Sequence, residues 1–391
     1  MRVLLFTGKG GVGKTTAAAS AAVLAARRGL KTLVLSTDAA HSLGDALGTP
    51  LGPAPVEVET GLSAVQVDTQ RRLEVAWRTV QDYLRDVLER SGVDPMEAEE
   101  LTVLPGADEV LALLALREQA ASGRYDAVVV DCAPTAETLR LLALPEALAW
   151  YMQRVFPAHR RVARALSPLL SRASGFSPPP DAVFDAVERL HGQLREVRAL
   201  LTDPASSSVR LVLTPEAVVV AEARRTLTAL ALHGYRVDEV LANRVIPSDG
   251  ADPWRARWAQ AQAAQLAEVD SSFAGLPVRR TPYRPVEPVG PDELAEVARE
   301  TYGDSDPLAL APPADEPVRV ERTVDGFRLS LALPLADRGD LQLTRSGNDL
   351  VVTVGAQRRV LSLPSALRRC QVAGAALRDG RLGVDFVPDP A

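Results

Sequence analysis

Side chains able to do chemistry gather first in the run Phe6-Thr7-Gly8-Lys9-Gly10-Gly11-Val12-Gly13-Lys14-Thr15-Thr16. Gly8, Gly13, Lys14 and Thr15 fill the fixed positions of a phosphate-binding loop of the G-x-x-x-x-G-K-[ST] form. The glycines of such a loop let successive backbone N–H groups turn inward around a polyphosphate, and the following helix adds its positive dipole end. Lys14 is placed to reach the β- and γ-phosphates of ATP, and the Thr15 hydroxyl to hold Mg2+. Gly8, Lys9, Gly10, Gly11, Val12, Gly13, Lys14, Thr15 and Thr16 are therefore candidate ATP contacts. A chance glycine-rich turn is the plain alternative, and the lysines argue against it. Lys9, Lys14 and Lys31 are the only lysines of the chain, and two of them lie in this loop. A compact ammonium suits a phosphate cradle better than the planar guanidinium used elsewhere in the chain.

Two aspartates extend the set. Asp38 lies in Ser36-Thr37-Asp38-Ala39-Ala40-His41-Ser42-Leu43-Gly44-Asp45, after a second apolar run. A strand-terminal carboxylate facing a γ-phosphate accepts hydrogen bonds from water and aims it for in-line attack. The plain alternative for Asp38 is a helix N-cap. Asp131 opens Asp131-Cys132-Ala133-Pro134-Thr135-Ala136-Glu137-Thr138-Leu139-Arg140 and ends an apolar run, as a carboxylate that holds Mg2+ through water does. Lys9, Lys14 and Asp38 form the expected catalytic set, and Thr15, Asp38 and Asp131 the expected metal side. A γ-phosphate would hold both aspartate loops, and its loss would release them. His41 is expected to orient a neighbour by hydrogen bonding. His159, His191 and His233 have no metal-ligand spacing.

The elements that must position these residues are short apolar runs separated by helical stretches. Runs at Val3–Phe6, Thr32–Leu35, Ala127–Val130, Val209–Leu213 and Val237–Leu241, with a shorter one near Pro277–Arg280, are mostly apolar throughout. That is the pattern of strands covered on both faces. The expected fold class is α/β, a doubly wound, mostly parallel P-loop NTPase sheet with ligands beyond the carboxyl ends of its strands. Helical insertions are expected at about 70–124 and 145–203, broken at Gly92-Val93-Asp94-Pro95 and Ser177-Pro178-Pro179-Pro180. Their apolar residues recur at helical spacing: Leu73, Val80, Leu84, Val87 and Leu88, then Val183, Val187, Leu190, Leu194 and Val197. That spacing fits core packing or a groove for an apolar helix. The domain reading is 1–303 for the α/β part, 304–316 for a Pro/Ala-rich linker, and 317–391 for an all-β sandwich. Asp325-Gly326 between two alternating runs marks a hairpin in that last part.

Length and composition set the outer bounds. At 391 residues, two domains are expected. A net charge of −6 offers no basic field, so nucleic acid is not an expected partner. Cys132 and Cys370 stand far apart in no paired motif, so no structural zinc is expected, and a reducing, cytoplasmic setting fits. No apolar run approaches the ~20 residues of a membrane span.

The form Lys9-Gly-Gly-Val-Gly-Lys-Thr-Thr16 resembles the deviant Walker A loop of dimeric ATPases, in which the early lysine reaches the partner subunit's nucleotide. With Ser36-Thr-Asp-Ala-Ala-His-Ser-Leu43 and Asp131-Cys-Ala-Pro-Thr-Ala-Glu-Thr-Leu-Arg-Leu-Leu142, the chain resembles the anion-transporting (arsenite-pump) ATPase family, which includes the tail-anchored-protein targeting ATPases. Asn243-Arg-Val-Ile-Pro247 and Pro282-Tyr-Arg-Pro-Val-Glu287 look like that family's adenine-side segments. The resemblance implies a Mg-ATP-dependent homodimer that closes on ATP and opens after hydrolysis. Lys9 would then act across the dimer, Asp38 on water and Asp131 on the metal, with Asn243, Pro282 and Tyr283 near adenine. Three residues depart from the family pattern: Ala39 in the first switch, and Ala136 and Glu137 in the second. Hydrolysis is still expected, with its rate open.

Residues about 315–389 resemble an α-crystallin-type small heat-shock domain through Gly347-Asn-Asp-Leu-Val-Val-Thr-Val354, Arg359-Val-Leu-Ser-Leu-Pro364 and Ala375-Ala-Leu-Arg-Asp-Gly-Arg-Leu-Gly-Val-Asp-Phe386. The leading expectation is an ATP-driven switch that engages hydrophobic helical protein segments. The alternatives are a metalloid-transport subunit, which needs thiols this chain lacks, and a partitioning-type positioning ATPase. The last would show a terminal basic amphipathic helix.

Overall fold

The computed structural model describes residues 1–38, 42–67, 94, 107–136, 138–140, 142–143, 181–248, 252–310 and 317–388. Ala39, His41, Glu137, His159, both expected helix breaks apart from Asp94, and the apolar set from Leu73 to Leu88 lie outside them.

Eight strands form one sheet in the order β3-β4-β2-β5-β1-β6-β7-β8. They are β1 (Arg2–Thr7), β2 (Thr32–Ser36), β3 (Val56–Glu59), β4 (Leu62–Gln66), β5 (Ala127–Asp131), β6 (Ser207–Leu213), β7 (Val237–Val245) and β8 (Val278–Pro282). All pairings are parallel except that of β3 with β4. The strand order reverses around β1, which opens a crevice at its carboxyl end. Register brings chemistry to that level, because Asp131 lies beside Phe6 on one side and Ser36 on the other.

Helix α1 (Lys14–Arg27) leaves the loop after β1 and is buried on nearly every side, from Ala17 to Ala26. Its small side chains let it pack closely against β2, β5 and α7 (Pro291–Tyr302). The remaining helices of this part are α2 (Ser42–Leu47), α3 (Ala107–Ala121), α4 (Asp181–Thr202), α5 (Ala217–Leu232) and α6 (Pro253–Ser272). In α4, Leu194 and Val197 are fully buried in the sheet's core, so this part of the second apolar stripe is core rather than groove.

The linker expected at 304–316 begins anchored. Leu308 is buried in the α/β core, and Arg210 donates to the carbonyls of Pro307 at 2.5 Å and Ala309 at 3.3 Å. Arg210 is itself buried, lies over the rings of Phe6 and Tyr302, and is set against Glu239 at 3.3 Å and Asp238 at 3.7 Å. Arg2 and Arg279 supply the second cation to each carboxylate, at 3.1 and 2.7 Å. The segment after α7 is thus stapled across the starts of β1, β6 and β7.

The C-terminal part is a sandwich of a four-stranded sheet, β14-β15-β10-β9, and a three-stranded sheet, β11-β12-β13. Its strands are β9 (Val318–Arg322), β10 (Phe327–Ala332), β11 (Leu341–Ser346), β12 (Asp349–Val354), β13 (Gln357–Ser362), β14 (Cys370–Arg378) and β15 (Arg381–Pro388). The Asp325-Gly326 hairpin forms as expected, with Arg322 paired to Phe327. Its core includes a residue of the other domain: Leu232, the last of α5, is fully buried among Leu329, Leu331 and Phe386. Arg359 donates to the Leu232 carbonyl at 2.5 Å, which satisfies an end of α5 that would otherwise be unpaired. Thr228 donates to the Pro334 carbonyl at 2.6 Å.

Replacing Arg210 by Met should leave two buried carboxylates short of a cation and release the segment after α7. Urea titration is expected to show a loss of about 3–5 kcal/mol; an unchanged midpoint would mean that the cluster contributes no net stability.

Candidate active site

The loop of residues 8–13 is shaped by two close approaches. A side chain at Gly8 would put its Cβ 2.1 Å from the Val212 carbonyl oxygen. At Gly13 the backbone has φ 92°, and a Cβ would lie 2.3 Å from Asn243 Nδ2. The positive φ at the start of α1 lets the chain turn from loop into helix, a conformation glycine takes without steric cost. Lys14, the first residue of α1, is buried and donates to the Lys9 carbonyl at 3.3 Å. The two lysines expected to work together are therefore joined through the loop backbone. The Lys9 side chain is half-buried and makes no hydrogen bond or ion pair among the described residues.

Asp131 is fully buried at the end of β5. Its Oδ2 accepts from the Ser36 hydroxyl at 3.2 Å, and its Oδ1 has no partner among the described residues. Burial pushes its carboxyl up to about 7; the Thr15 hydroxyl and the Lys14 ammonium pull it back, while Asp38 adds to the rise. Thr15 lies 3.3 Å from the Ser42 hydroxyl at the start of α2. A buried carboxylate oxygen without a partner, close to two hydroxyls, is a donor set for a hard divalent cation. These residues fit Mg2+. Among the described residues no three His, Cys, Asp or Glu side chains cluster around one point, so the metal would be held by hydroxyl and carboxylate oxygens in the manner of a nucleotide-bound ion.

The two switch segments are tied together by Thr37. Its N–H donates to the Asp131 carbonyl at 2.9 Å, its hydroxyl donates to the same oxygen at 3.4 Å, and that hydroxyl accepts from the Ala133 N–H at 3.3 Å. Asp38 is held from both sides of its backbone: its N–H donates to the Ser36 hydroxyl at 3.2 Å, and its carbonyl accepts from Gln66 Nε2 at 2.7 Å. Gln66 is buried at the end of β4, a strand without an expectation in the sequence reading. Ser42, Thr37 and Ser36 lie within the quoted Asp38 segment but carried no assigned role. Gln66 could have been found from the short, mostly apolar run Leu62-Ser-Ala-Val-Gln66, which ends a strand level with Ser36.

The structure thus gathers the loop, Asp38, Asp131 and Asn243. Asn243 does more than stand near a base site, since its Nδ2 donates to the Val12 carbonyl at 2.8 Å and braces the loop from β7. Pro282 ends β8, one of the sheet's two edge strands, and the Tyr283 side chain after it is exposed. No hydrogen bond joins either residue to the loop among the described residues; the Tyr283 N–H donates to the Val245 carbonyl at 2.8 Å. Cys132 is buried, and burial pushes its thiol up to about 12, which leaves it unreactive.

Thr37→Val keeps the volume and removes the hydroxyl bridge between the switch segments. Nucleotide affinity should be retained while kcat falls by about tenfold, the equivalent of ~1.4 kcal/mol, and Thr37→Ser should restore it. Phosphate release beside nucleotide titration checks this, and an unchanged kcat in the Val variant would contradict it.

Residues 1–303 match the family model described as anion-transporting ATPase, and residues 324–386 match the HSP20-like domain found in ArsA. Full-length likeness reaches a protein of Streptomyces coelicolor carried as uncharacterized, 41% identical over 100% of this chain and 98% of its own length. It also reaches a protein of Chlorobaculum tepidum that bears the name "Putative arsenical pump-driving ATPase", 37% identical over 99% and 96%. The ATPase GET3B of Arabidopsis thaliana is 31% identical over 70% of this chain and 72% of its own. With a glycine-rich loop leading into α1, a buried aspartate at the end of β5 and the Asp38 segment tied to it, the chain belongs to the anion-transporting ATPase family and is an ATPase with an HSP20-like domain in its C-terminal part.

Proposed function

We propose that this ATPase works as a homodimeric, Mg-ATP-dependent switch whose closing and opening are coupled to engagement of hydrophobic protein segments. The observation that carries the reading is the arrangement of the two loop lysines. Lys14 donates to the Lys9 carbonyl within its own loop, while the Lys9 ammonium has no partner among the described residues. A half-buried cation at a phosphate site has a task when a second subunit's nucleotide approaches it.

In this reading the loop N–H groups and Lys14 bind the phosphates, while Thr15, Asp131 and Asp38 make up the metal side. Mg2+, when bound, offsets charge on the β- and γ-phosphates. Asp38 accepts a hydrogen bond from the attacking water and aims it, its backbone fixed by Ser36 and Gln66. The N–H groups of residues 10–15 and Lys9 of the second copy stabilise the charge that gathers on the transferred group. Asn243 keeps the loop in register with β7, and Pro282 and Tyr283 border the adenine side. The setting proposed is the cytoplasm; among the described residues no helix is long and apolar enough to cross a membrane.

The name of the Chlorobaculum relative attaches arsenical pumping to that protein. Here Cys132 and Cys370 are both buried, one in the α/β core and one in the sandwich core, which is no arrangement for capturing a metalloid from solution.

Lys9→Ala should keep nucleotide binding and lower turnover by roughly 10³–10⁵-fold, the range for a cation supplied by a partner. Light scattering should show the wild-type chain shifting from one copy to two with Mg2+ and a non-hydrolysable ATP analogue, and the variant shifting less. Wild-type turnover in Lys9→Ala would remove the role given to Lys9, and a chain that remains single with nucleotide bound would remove the dimer.

A further inference from the structure

A cleft of about 660 Å3 lies between the two domains, outside the nucleotide site. One wall is the segment that follows Asp131, through Thr135, Ala136 and Leu139; a second is a face of α5 that includes Val220 and Ala221. The third is made by two sandwich loops, 335–340 and 354–357, which contribute Leu335, Ala336 and Val354. The volume is that of a pocket for a short peptide segment or a drug-sized molecule.

The lining combines an apolar floor with an uneven rim of charge. Arg224 on α5 is neutralised by Glu268 of α6. Glu222, Asp337 and Asp340 also line the cleft, and their carboxylates have no partner among the described residues; Arg225, three positions after Glu222 on α5, is the one lining cation unpaired among those residues. A ligand that fills the apolar floor and brings a positive charge to the rim complements this surface, whereas an anionic one meets repulsion.

We propose that the cleft binds an apolar protein segment followed by basic residues, the sandwich and the second switch closing on it from opposite sides. The proposal rests on the reading above that the protein engages apolar segments, and it names where and with what charge. Its walls also explain how occupancy would reach the ATP site. Val219, Ala223 and Thr226 of α5 share a small void with Gly8, Lys9 and Thr135, so one helix touches the cleft, the phosphate loop and the second switch. Its last residue, Leu232, is fixed in the sandwich core by Arg359. A segment that holds the sandwich and the switch in one arrangement biases nucleotide affinity, and nucleotide biases segment affinity by the same factor.

Fluorescence anisotropy on the full chain tests this with a labelled peptide Leu-Val-Leu-Leu-Lys-Lys and its twin Leu-Val-Leu-Leu-Glu-Glu, with and without Mg-ATP. Ala221→Trp fills the cleft from α5, and Ala356→Trp does so from an exposed turn should the first variant fail to fold. The double variant Asp337→Asn/Asp340→Asn removes charge and keeps volume. The basic peptide is expected to bind the wild type, with the acidic twin and the Asn variant each weaker by about tenfold and the Trp variant weaker still. Turnover of ATP should persist in all variants. Binding of the basic peptide to the Trp and Asn variants as tightly as to the wild type would overturn the site while leaving apolar engagement elsewhere intact. No binding of either peptide in any nucleotide state would overturn both the site and the engagement of apolar segments.

Discussion

A carboxylate sealed from water governs this molecule. Asp131 sits where β5 runs out between β1 and β2, fully buried, with one oxygen occupied by Ser36 and the other without a partner among the described residues. Burying a charge in that state is unfavourable unless a cation arrives. Lys14 and Thr15 stand near enough to hold the carboxyl down, but not enough to cancel the effect of burial. The site is thus incomplete as a protein alone, and a hard divalent cation such as Mg2+ would supply what is missing. In the proposed function, binding and the ordering of these segments would be one event, because Thr37 bonds to the carbonyl of that same aspartate and Asp38 follows Thr37 in the chain.

Around this centre the fold provides rigidity at the loop and linkage away from it. Gly8 packs against the Val212 carbonyl of β6 and Gly13 against Asn243 of β7, so the loop is shaped by strands from beyond its own β-α unit. Helix α5 starts beside that contact and ends inside the sandwich core at Leu232. The HSP20-like domain is therefore joined to the phosphate site by one continuous helix as well as by the chain that Arg210 and Arg2 pin after α7. A rigid helix spanning two cores is a suitable carrier of coupling, provided that the switch segment it touches has two arrangements.

Much of this was legible in the sequence, for identifiable reasons. The strands β1, β2, β5, β6 and β7 read clearly because both of their faces are covered, and the resulting apolar runs have no competing period. The loop, Asp38 and Asp131 stood out because the chemistry proposed for them demands particular residue types after strands. The hairpin of β3 and β4 went unread although Val56-Glu-Val-Glu59 alternates, because its edge position leaves Val56 and Glu57 exposed and the apolar signal weak. Strand β14 was missed because Cys370–Arg378 is rich in Ala and carries a bulge between Val372 and Gly374, which breaks the alternation. The roles of Gln66, Thr37 and Arg359 arise from contacts between segments distant in sequence, which spacing along the chain does not encode. Asn243 was expected near adenine, and its bond to the Val12 carbonyl is visible only once β7 is set beside the loop.

The central claim is that one copy's Lys9 completes the other copy's site, and subunit mixing tests it most directly. Lys9→Ala and Asp38→Asn chains, each inactive alone, are combined and their ATP turnover is measured. In a mixed dimer the Lys9→Ala subunit retains its own Asp38 and receives an intact Lys9 from its neighbour. The mixture should therefore regain about a quarter of wild-type turnover, one competent site in half of the dimers. No recovery, with mixed dimers shown to have formed, would mean that Lys9 serves its own nucleotide and would contradict the account.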